Sequence, residues 1–375
     1  MARTLLVTND FPPTIGGIQS YLRDFVETLP ADDIVVFAST QNASEATRFD
    51  ARADYRIVRW PRMVMLPTSS TVEAMSATIE EFGIETVWFG ASAPLGLLAD
   101  AARHAGARRI VASTHGHEVG WAKAPGARQL LRRIGGRVDV VTYISDYTRR
   151  RIQPALGDHP EYVALPSGVD TEYFQPIDPA ERAQIRSRHG FGAEPLVVCI
   201  SRLVRRKGQD QLLRAWPEVM RRHPDARLVI VGEGPYRPRL RRMARELPKR
   251  AVTFTGAMER SAMRDLLAAA DVAAVPARTR LGGLDVEGLG IVYLEAQAAG
   301  VPVIAGDSGG APETVRPDTG VVVPGRATDK LARAVAKLLD DPARRKEMGE
   351  AGRRHAVEAW SRERMAKRLA EVLNY

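Results

Sequence analysis

The sequence predicts an α/β protein built from two parallel sheets, each covered by helices, and three observations carry that expectation. Short apolar runs of strand type alternate with helical segments in both halves of the chain. The alternation stops at about 165–192, where LPSGVDTEYFQPIDP is rich in Pro, Gly and Asp and holds no helical or strand period over a useful length. Finally, 375 residues at 45% hydrophobic content suffice for two domains with sizeable cores. The expected division is an N-terminal domain at 1–168, a linker at 169–192, a C-terminal domain at 193–355 and a helical tail at 356–375.

Taken in order, Thr4–Thr8 reads as a buried strand. Asn9, Asp10, Phe11, Pro12, Pro13 and the pair Gly16–Gly17 follow it, then a helix from about Ile18 to Leu29 and a strand at Ile34–Ala38. Further apolar runs stand at Tyr55–Val58, Thr86–Phe89, Ile110–Ser113 and Val138–Ile144. Beyond the linker come strand Leu196–Ser201, helix Gln209–Arg222, strand Arg227–Val231, helix Arg237–Leu247, strand Val252–Thr255, helix Ser261–Ala270 and strand Val272–Val275. The last thirty residues read as two helices, with Trp360 starting the final one. Ligands of such sheets bind beyond the carboxyl ends of the strands. That rule puts Gly16–Gly17 and the cluster Thr114, His115, Gly116, His117, Glu118 on a binding edge.

Composition narrows the function. Cys199, the single cysteine, sits in the apolar run VVCIS, which leaves no disulfide framework and no thiolate metal site. No apolar stretch approaches the ~18 residues of a membrane span, and the chain enters a strand directly, so a cytoplasmic protein is expected. The net charge of +9 implies an anionic partner.

Residues 282–313 hold the densest chemistry. Glu287 precedes a turn made by Gly288, Leu289 and Gly290, and an amphipathic helix then opens that carries Glu295. Glycines there let the backbone approach a ligand, and the unpaired amides of a helix start bind anions. Two carboxylates at this spacing face different parts of one elongated ligand. A strand and a second glycine turn, Gly309–Gly310, lead on to Glu313. The strand-end loop Ser201–Gly208 crowds Arg202, Arg205, Arg206 and Lys207, cations suited to a diphosphate. VGEGP at 231–235 lacks the third glycine of a dinucleotide fingerprint. His115 and His117 lack a convincing third metal ligand, so a positioning role is expected and no essential metal.

Together, Gly16–Gly17, HGHE, SRLVRRKG, VGEGP, the Glu287–Glu295 pair, EAQAAGVPVIA and GGAPE resemble the retaining nucleotide-sugar glycosyltransferases of family four, over essentially the whole chain. The resemblance implies a GT-B architecture: two Rossmann-like domains facing a cleft, with a C-terminal helix crossing back to the N-terminal domain. It makes the N-terminal domain the acceptor-binding one and the C-terminal domain the nucleotide-sugar-binding one. By the same resemblance Arg202 and Lys207 match the pair that neutralises the diphosphate, Glu295 the ribose-binding carboxylate, and Glu287 the one contacting the sugar and its phosphate. Gly17 matches the glycine near the β-phosphate and His115 the histidine near the transferred sugar, with His117 its rival. Gly288, Leu289, Gly290, Ile291 and Met258 complete the implied donor site, and Asp10, Gln19, Tyr21 and His117 are the candidates for the acceptor. NDFPPTIGGIQSYLRDF, FASTQNA, STHGHEVGW and PARTRLGGLDVEGLGIVYLEAQ are most similar to the mannosyltransferases that build phosphatidylinositol mannosides from GDP-mannose. The expected reaction adds a second mannose, in α-1,6 linkage, to phosphatidylinositol monomannoside, with GDP released, no cofactor, no metal and no nucleic acid.

Such an acceptor implies peripheral contact with the inner face of the cell membrane. The candidate segments are Arg59, Trp60, Pro61, Arg62, Met63, Val64, Met65 and Leu66, and the stretch Lys123–Arg137 with Arg128, Arg132, Arg133 and Arg137. The alternatives are a family-four enzyme with another nucleotide sugar or acceptor, an NAD-type dehydrogenase, and a nucleotide-regulated membrane-binding protein.

Overall fold

A computed structural model describes residues 3–374, and the chain divides into two compact units. The first comprises the chain through Ser167 together with the segment from Glu363, and the second runs from Gly168 to Arg362.

In the first unit, β1 (Arg3–Thr8), β2 (Ile34–Ser39), β3 (Arg56–Trp60), β4 (Ile84–Phe89), β5 (Arg109–Thr114), β6 (Val140–Tyr143) and β7 (Glu161–Ala164) form a parallel sheet ordered β3-β2-β1-β4-β5-β6-β7. The near-continuous apolar strands are explained by burial on both faces. Leu5, Val7, Val35, Phe37, Val87 and Phe89 point into one core, while Leu6, Val36, Ala38, Trp88 and Val111 point into the other. The final helix, Arg362–Leu373, closes that second core with Met365, Leu369, Val372 and Leu373, which recur at helical spacing on one face. Its end is tied down by Arg109, whose Nε donates to the carbonyl of Val372 at 2.7 Å, and by Arg368, which donates to that of Ala164 at 3.0 Å.

The second unit carries β8 (Leu196–Ile200), β9 (Arg227–Val231), β10 (Val252–Gly256), β11 (Val272–Val275), β12 (Val303–Gly306) and β13 (Gly320–Val323), parallel and ordered β10-β9-β8-β11-β12-β13. Strand order reverses at β1/β4 in one sheet and at β8/β11 in the other, the switch points beyond which α/β sheets bind ligands.

Two expectations are corrected. Residues 169–192 are not a spacer: they pack into the second unit, with Val169, Phe174 and Phe191 in its core. They include helix Pro179–Arg188, whose N-cap Asp178 accepts from the amide of Glu181 at 2.8 Å. Arg182 and Arg186 of that helix bridge to Asp271, which also accepts the amide proton of Leu196. The Asp and Pro that read as breakers are the helix's own start signals. Likewise Trp360 ends the penultimate helix, Pro342–Trp360. Extended Ser361 separates it from the last helix, so the tail turns at 361–362 rather than at 356.

Candidate active-site residues

The first group of site residues stands at the carboxyl ends of β1 and β5. After β1 the chain reaches Gly16 in extended conformation and Gly17, the first residue of helix Gly17–Val26. A Cβ on Gly17 would meet nothing within 4 Å, and no side chain caps this helix start, which leaves its first amides for a ligand. Asp10 is positioned by Gln19, whose Nε2 donates to its Oδ1 at 2.9 Å, and by its own amide donating to Thr8 Oγ1 at 2.8 Å.

His115 follows β5. Its Nε2 lies 2.6 Å from the carbonyl oxygen of Gly90, which can only accept, so Nε2 carries the proton and Nδ1 is left as an acceptor. Burial holds its pKa below the ordinary 6.5, against the opposing field of Glu118, and the ring is neutral at neutral pH. Glu118 is fully buried and accepts the amides of His115 and Gly116 at 3.1 and 3.0 Å. It thus fixes the loop that carries both histidines, a role the motif HGHE does not disclose. His117 is exposed, 3.3 Å from Glu118, its ring stacked on that of His115 with centroids 6.4 Å apart.

Tyr21 departs from expectation. It is buried, its hydroxyl donates to the carbonyl of Leu165 at 2.7 Å, and its ring packs edge-on against His115 at 4.8 Å. The hydroxyl is spent inside the unit, so Tyr21 supports His115 and offers nothing to an acceptor.

The second group gathers at the carboxyl ends of β8, β11 and β12. The loop after β8 turns at Gly208 (φ +77°), where a Cβ would fall 2.0 Å from the carbonyl oxygen of Pro276. Arg202 is exposed, while Lys207 Nζ lies 2.6 Å from Glu287 Oε2, and both partners of this ion pair are largely buried. Arg206 approaches the same carboxylate at 4.0 Å and Asp285 at 3.5 Å. Glu287 is held by its backbone: its amide donates to the buried hydroxyl of Ser308 at 3.1 Å, and its carbonyl accepts from Gly310 at 3.0 Å. Gly309 (φ +60°) passes so near that a Cβ would lie 1.8 Å from that carbonyl oxygen. The second glycine turn therefore serves to seat Glu287, and Ser308, absent from the sequence-based candidates, belongs to the support.

Helix Ile291–Ala298 opens behind Gly290 (φ +93°). It is not amphipathic as expected: Val292, Tyr293, Leu294, Ala296, Gln297 and Ala298 are all buried, so it is enclosed on most sides. Its half-exposed positions are Ile291 and Glu295, one turn apart on the same face. Leu289 is buried and gives a ligand only its backbone; Gly288 and Met258 are half-buried. An exposed guanidinium, a buried lysine, a helix start that no side chain caps and a carboxylate four residues inside the helix form a surface suited to a diphosphate with hydroxyls attached. Among the described residues no group of three or more His, Cys, Asp or Glu side chains is placed to hold a metal ion.

The expected membrane segments are mixed. Met63, Val64 and Leu66 are exposed beside Arg62, whereas Trp60 and Met65 are core residues and Arg59 is bound to Asp50. On helix Pro125–Gly135, Leu131 and Ile134 face the core and Arg128, Arg132 and Arg133 are exposed. No helix among the described residues is long and apolar enough to cross a membrane.

Residues 15–173 match the family model described as Glycosyltransferase Family 4, and residues 181–355 the model described as Glycosyl transferases group 1. The chain is 58% identical over 372 residues, 99% of its length and 97% of the relative's, to the GDP-mannose-dependent monoacylated alpha-(1-6)-phosphatidylinositol monomannoside mannosyltransferase of Corynebacterium glutamicum. The chain belongs to the family-four glycosyltransferases. This glycosyltransferase is also 54% identical to the GDP-mannose-dependent alpha-(1-6)-phosphatidylinositol monomannoside mannosyltransferase of Mycolicibacterium smegmatis, over 99% of this chain and 98% of that one. Its GT-B fold matches that of Anabaena HepE, solved with UDP, at a TM-score of 0.83 with 20% identity and full coverage of both chains. Sucrose-phosphate synthase of Thermosynechococcus elongatus matches at 0.79 with 23% identity, over 100% of this chain and 98% of that one. The dehydrogenase and regulatory-protein alternatives fall with these matches.

Proposed function

We propose that this glycosyltransferase is a retaining, GDP-mannose-dependent α-mannosyltransferase that adds the second mannose, in α-1,6 linkage, to phosphatidylinositol monomannoside in cell-envelope glycolipid synthesis. The observation that carries the assignment is the identity of 58% and 54% with relatives of that name over nearly the whole chain. The placement of the candidate residues supports that reading. Arg202 and Lys207, with the open helix start behind Gly290, meet the diphosphate charge that grows as the bond from mannose C1 to phosphate breaks. Glu295 accepts from ribose hydroxyls, and Glu287, ion-paired with Lys207, borders the sugar and its phosphate. Leu289 and Ile291 line the donor along the backbone of the turn, with Met258 at the base. In the first unit Gly17 amides approach the β-phosphate, and neutral His115 takes a sugar hydroxyl proton into a hydrogen bond at Nδ1.

The acceptor oxygen bonds to C1 on the face the diphosphate leaves, and its proton passes to the departing phosphate oxygen, which makes a dedicated base unnecessary. Cationic side chains and helix amides meet the diphosphate charge in this reading, and the proposed transfer uses no metal. Asp10, Gln19 and His117 are left as acceptor contacts. The lipid acceptor brings the chain to the inner face of the membrane, where Arg62, Met63, Val64, Leu66 and the arginines at 128, 132 and 133 make the contact.

A thermal-shift panel tests the donor. GDP-mannose at 100 times its dissociation constant stabilises by about 2.7 kcal/mol, and UDP-glucose, UDP-N-acetylglucosamine and NAD at the same concentration are expected to shift the melting point far less. A larger shift with a UDP-sugar overturns the donor assignment.

A further inference from the structure

The second unit holds a cavity of about 1100 Å³ to which the donor-binding residues contribute nothing. Its walls are helices Gln209–Arg222 and Arg237–Ala244, the tip of the loop after β8, and the loops after β11 and β13. Seven arginines line it. At its floor Asp210, nearly fully buried, is shared by Arg214 and Arg278, each at 2.9 Å. Arg280 pairs with Asp285 at 3.0 Å, and Arg326 donates to the carbonyl of Thr279 at 3.3 Å. Arg205 lies over the ring of Tyr236, 5.7 Å from its centroid. Arg239 and Arg242, one turn apart on their helix, are exposed and have no carboxylate partner among the described residues. Seven guanidiniums against two paired carboxylates leave an excess of five positive charges around one concavity.

Mutual repulsion disfavours such a cluster unless an anion fills it. Planar guanidinium forks match phosphate oxygens two at a time. The volume is that of a small-molecule site, and the walls include no large exposed aliphatic side chain of the kind that inserts into a bilayer. We propose that this cavity is a second anion site, for a soluble ligand bearing two or more phosphates, and that its occupancy acts on the donor loop. The connection is short. Arg205 lines the cavity, and Lys207, two residues on, pairs with Glu287. The amide of Arg278 donates to the carbonyl of Arg206 at 2.7 Å, and Arg206 shares Asp285 with Arg280. A phosphate that draws Arg280 from Asp285 therefore changes the partners of the loop that carries Lys207.

The binding claim stands apart from the donor reading; only the coupling rests on it. The test is calorimetric titration of inorganic tripolyphosphate into the full-length protein saturated with GDP, for the parent and for Arg239→Glu/Arg242→Glu. Both substituted positions are exposed, so the variant is expected to fold, which its circular dichroism and GDP affinity check. The parent is expected to bind one tripolyphosphate and the variant to bind at least tenfold more weakly. In the parent, tripolyphosphate changes GDP affinity, and GDP changes tripolyphosphate affinity by the same factor. Equal binding by parent and variant, or loss of all binding once GDP is present, overturns the site, and unchanged GDP affinity overturns the coupling. Vesicles containing phosphatidylinositol should bind parent and variant alike; weaker vesicle binding by the variant overturns a soluble ligand in favour of a lipid headgroup. If GDP does not bind, the donor reading fails, while the comparison of parent and variant with tripolyphosphate alone still decides the site.

Discussion

The ion pair between Lys207 and Glu287 invites a perturbation whose size follows from its surroundings. The side chains are 13% and 9% exposed and 2.6 Å apart, so Lys207→Ala leaves a largely buried carboxylate without its nearest cation. Removing one partner of a fully buried pair costs about 3–5 kcal/mol. Arg206, 4.0 Å from the same oxygen, offsets part of this, which leaves about 2–3 kcal/mol. For a unit of this size that lowers the melting temperature by about 4–12 °C. Glu287→Gln leaves Lys207 uncompensated and destabilises less, because lysine reaches water more easily. In the double variant neither charge is stranded, so its stability loss falls short of the two single losses together by about 1–2 kcal/mol. Calorimetric melting of the parent and three variants, without ligand, gives the cycle. Strictly additive losses would refute the claim that these residues form one unit. Activity behaves differently: both single variants and the double lose about 10²–10³ in turnover, since a restored fold does not restore the diphosphate contact.

Four further outcomes are expected. His115→Ala abolishes transfer while calorimetric GDP affinity stays within twofold, and His117→Ala keeps most activity; the reverse pattern moves the role two residues on. Because folding holds the pKa of His115 below 6.5, with Glu118, His117 and Asp10 around it, the unfolded chain binds the extra proton first. Stability is then present above about pH 6.5 and lost as pH falls below it, and chemical denaturation across pH should show a shallower acid limb in His115→Gln. Glu295→Gln weakens GDP and GDP-mannose alike by about 1–3 kcal/mol for a lost charge-assisted hydrogen bond, and unchanged GDP binding in calorimetry rules out the ribose contact. Arg128→Glu/Arg132→Glu/Arg133→Glu reduces co-sedimentation with anionic vesicles by about 10²-fold, at about 1 kcal/mol per basic side chain. Binding equal to that of the parent rejects this helix as the contact.

Much of the fold is legible wherever burial repeats along the chain. Helix Gln209–Arg222 and strands Arg227–Val231 and Val272–Val275 stand at the residues their patterns mark. The misses share a cause. β7 and β13 are four-residue edge strands with half-exposed side chains, so neither presents a long apolar run. Helix Pro179–Arg188 hides behind an Asp-Pro pair that composition reads as a break, and Trp360 suggests a helix start only because an extended serine leaves no mark in hydropathy. The candidate site divides the same way. Charge and glycine spacing disclose Glu287, Glu295 and the basic loop, since those residues meet their ligand directly. What holds them depends on long-range approach: Gly309 against the carbonyl of Glu287, Ser308 on its amide, Glu118 beneath the histidine loop. The place of Tyr21 is hidden in the sequence because a tyrosine near a glycine turn looks the same whether its hydroxyl meets an acceptor or the carbonyl of Leu165.

The proposed reaction is metal-free transfer of mannose with retention. Incubating the protein with GDP-mannose and phosphatidylinositol monomannoside in excess EDTA, and reading the new anomeric carbon by proton-coupled NMR, decides both points in one experiment. The expected product is an α-1,6-linked dimannoside, formed at an undiminished rate; a β-linked product, or activity that EDTA abolishes and Mg²⁺ restores, rules the reaction out.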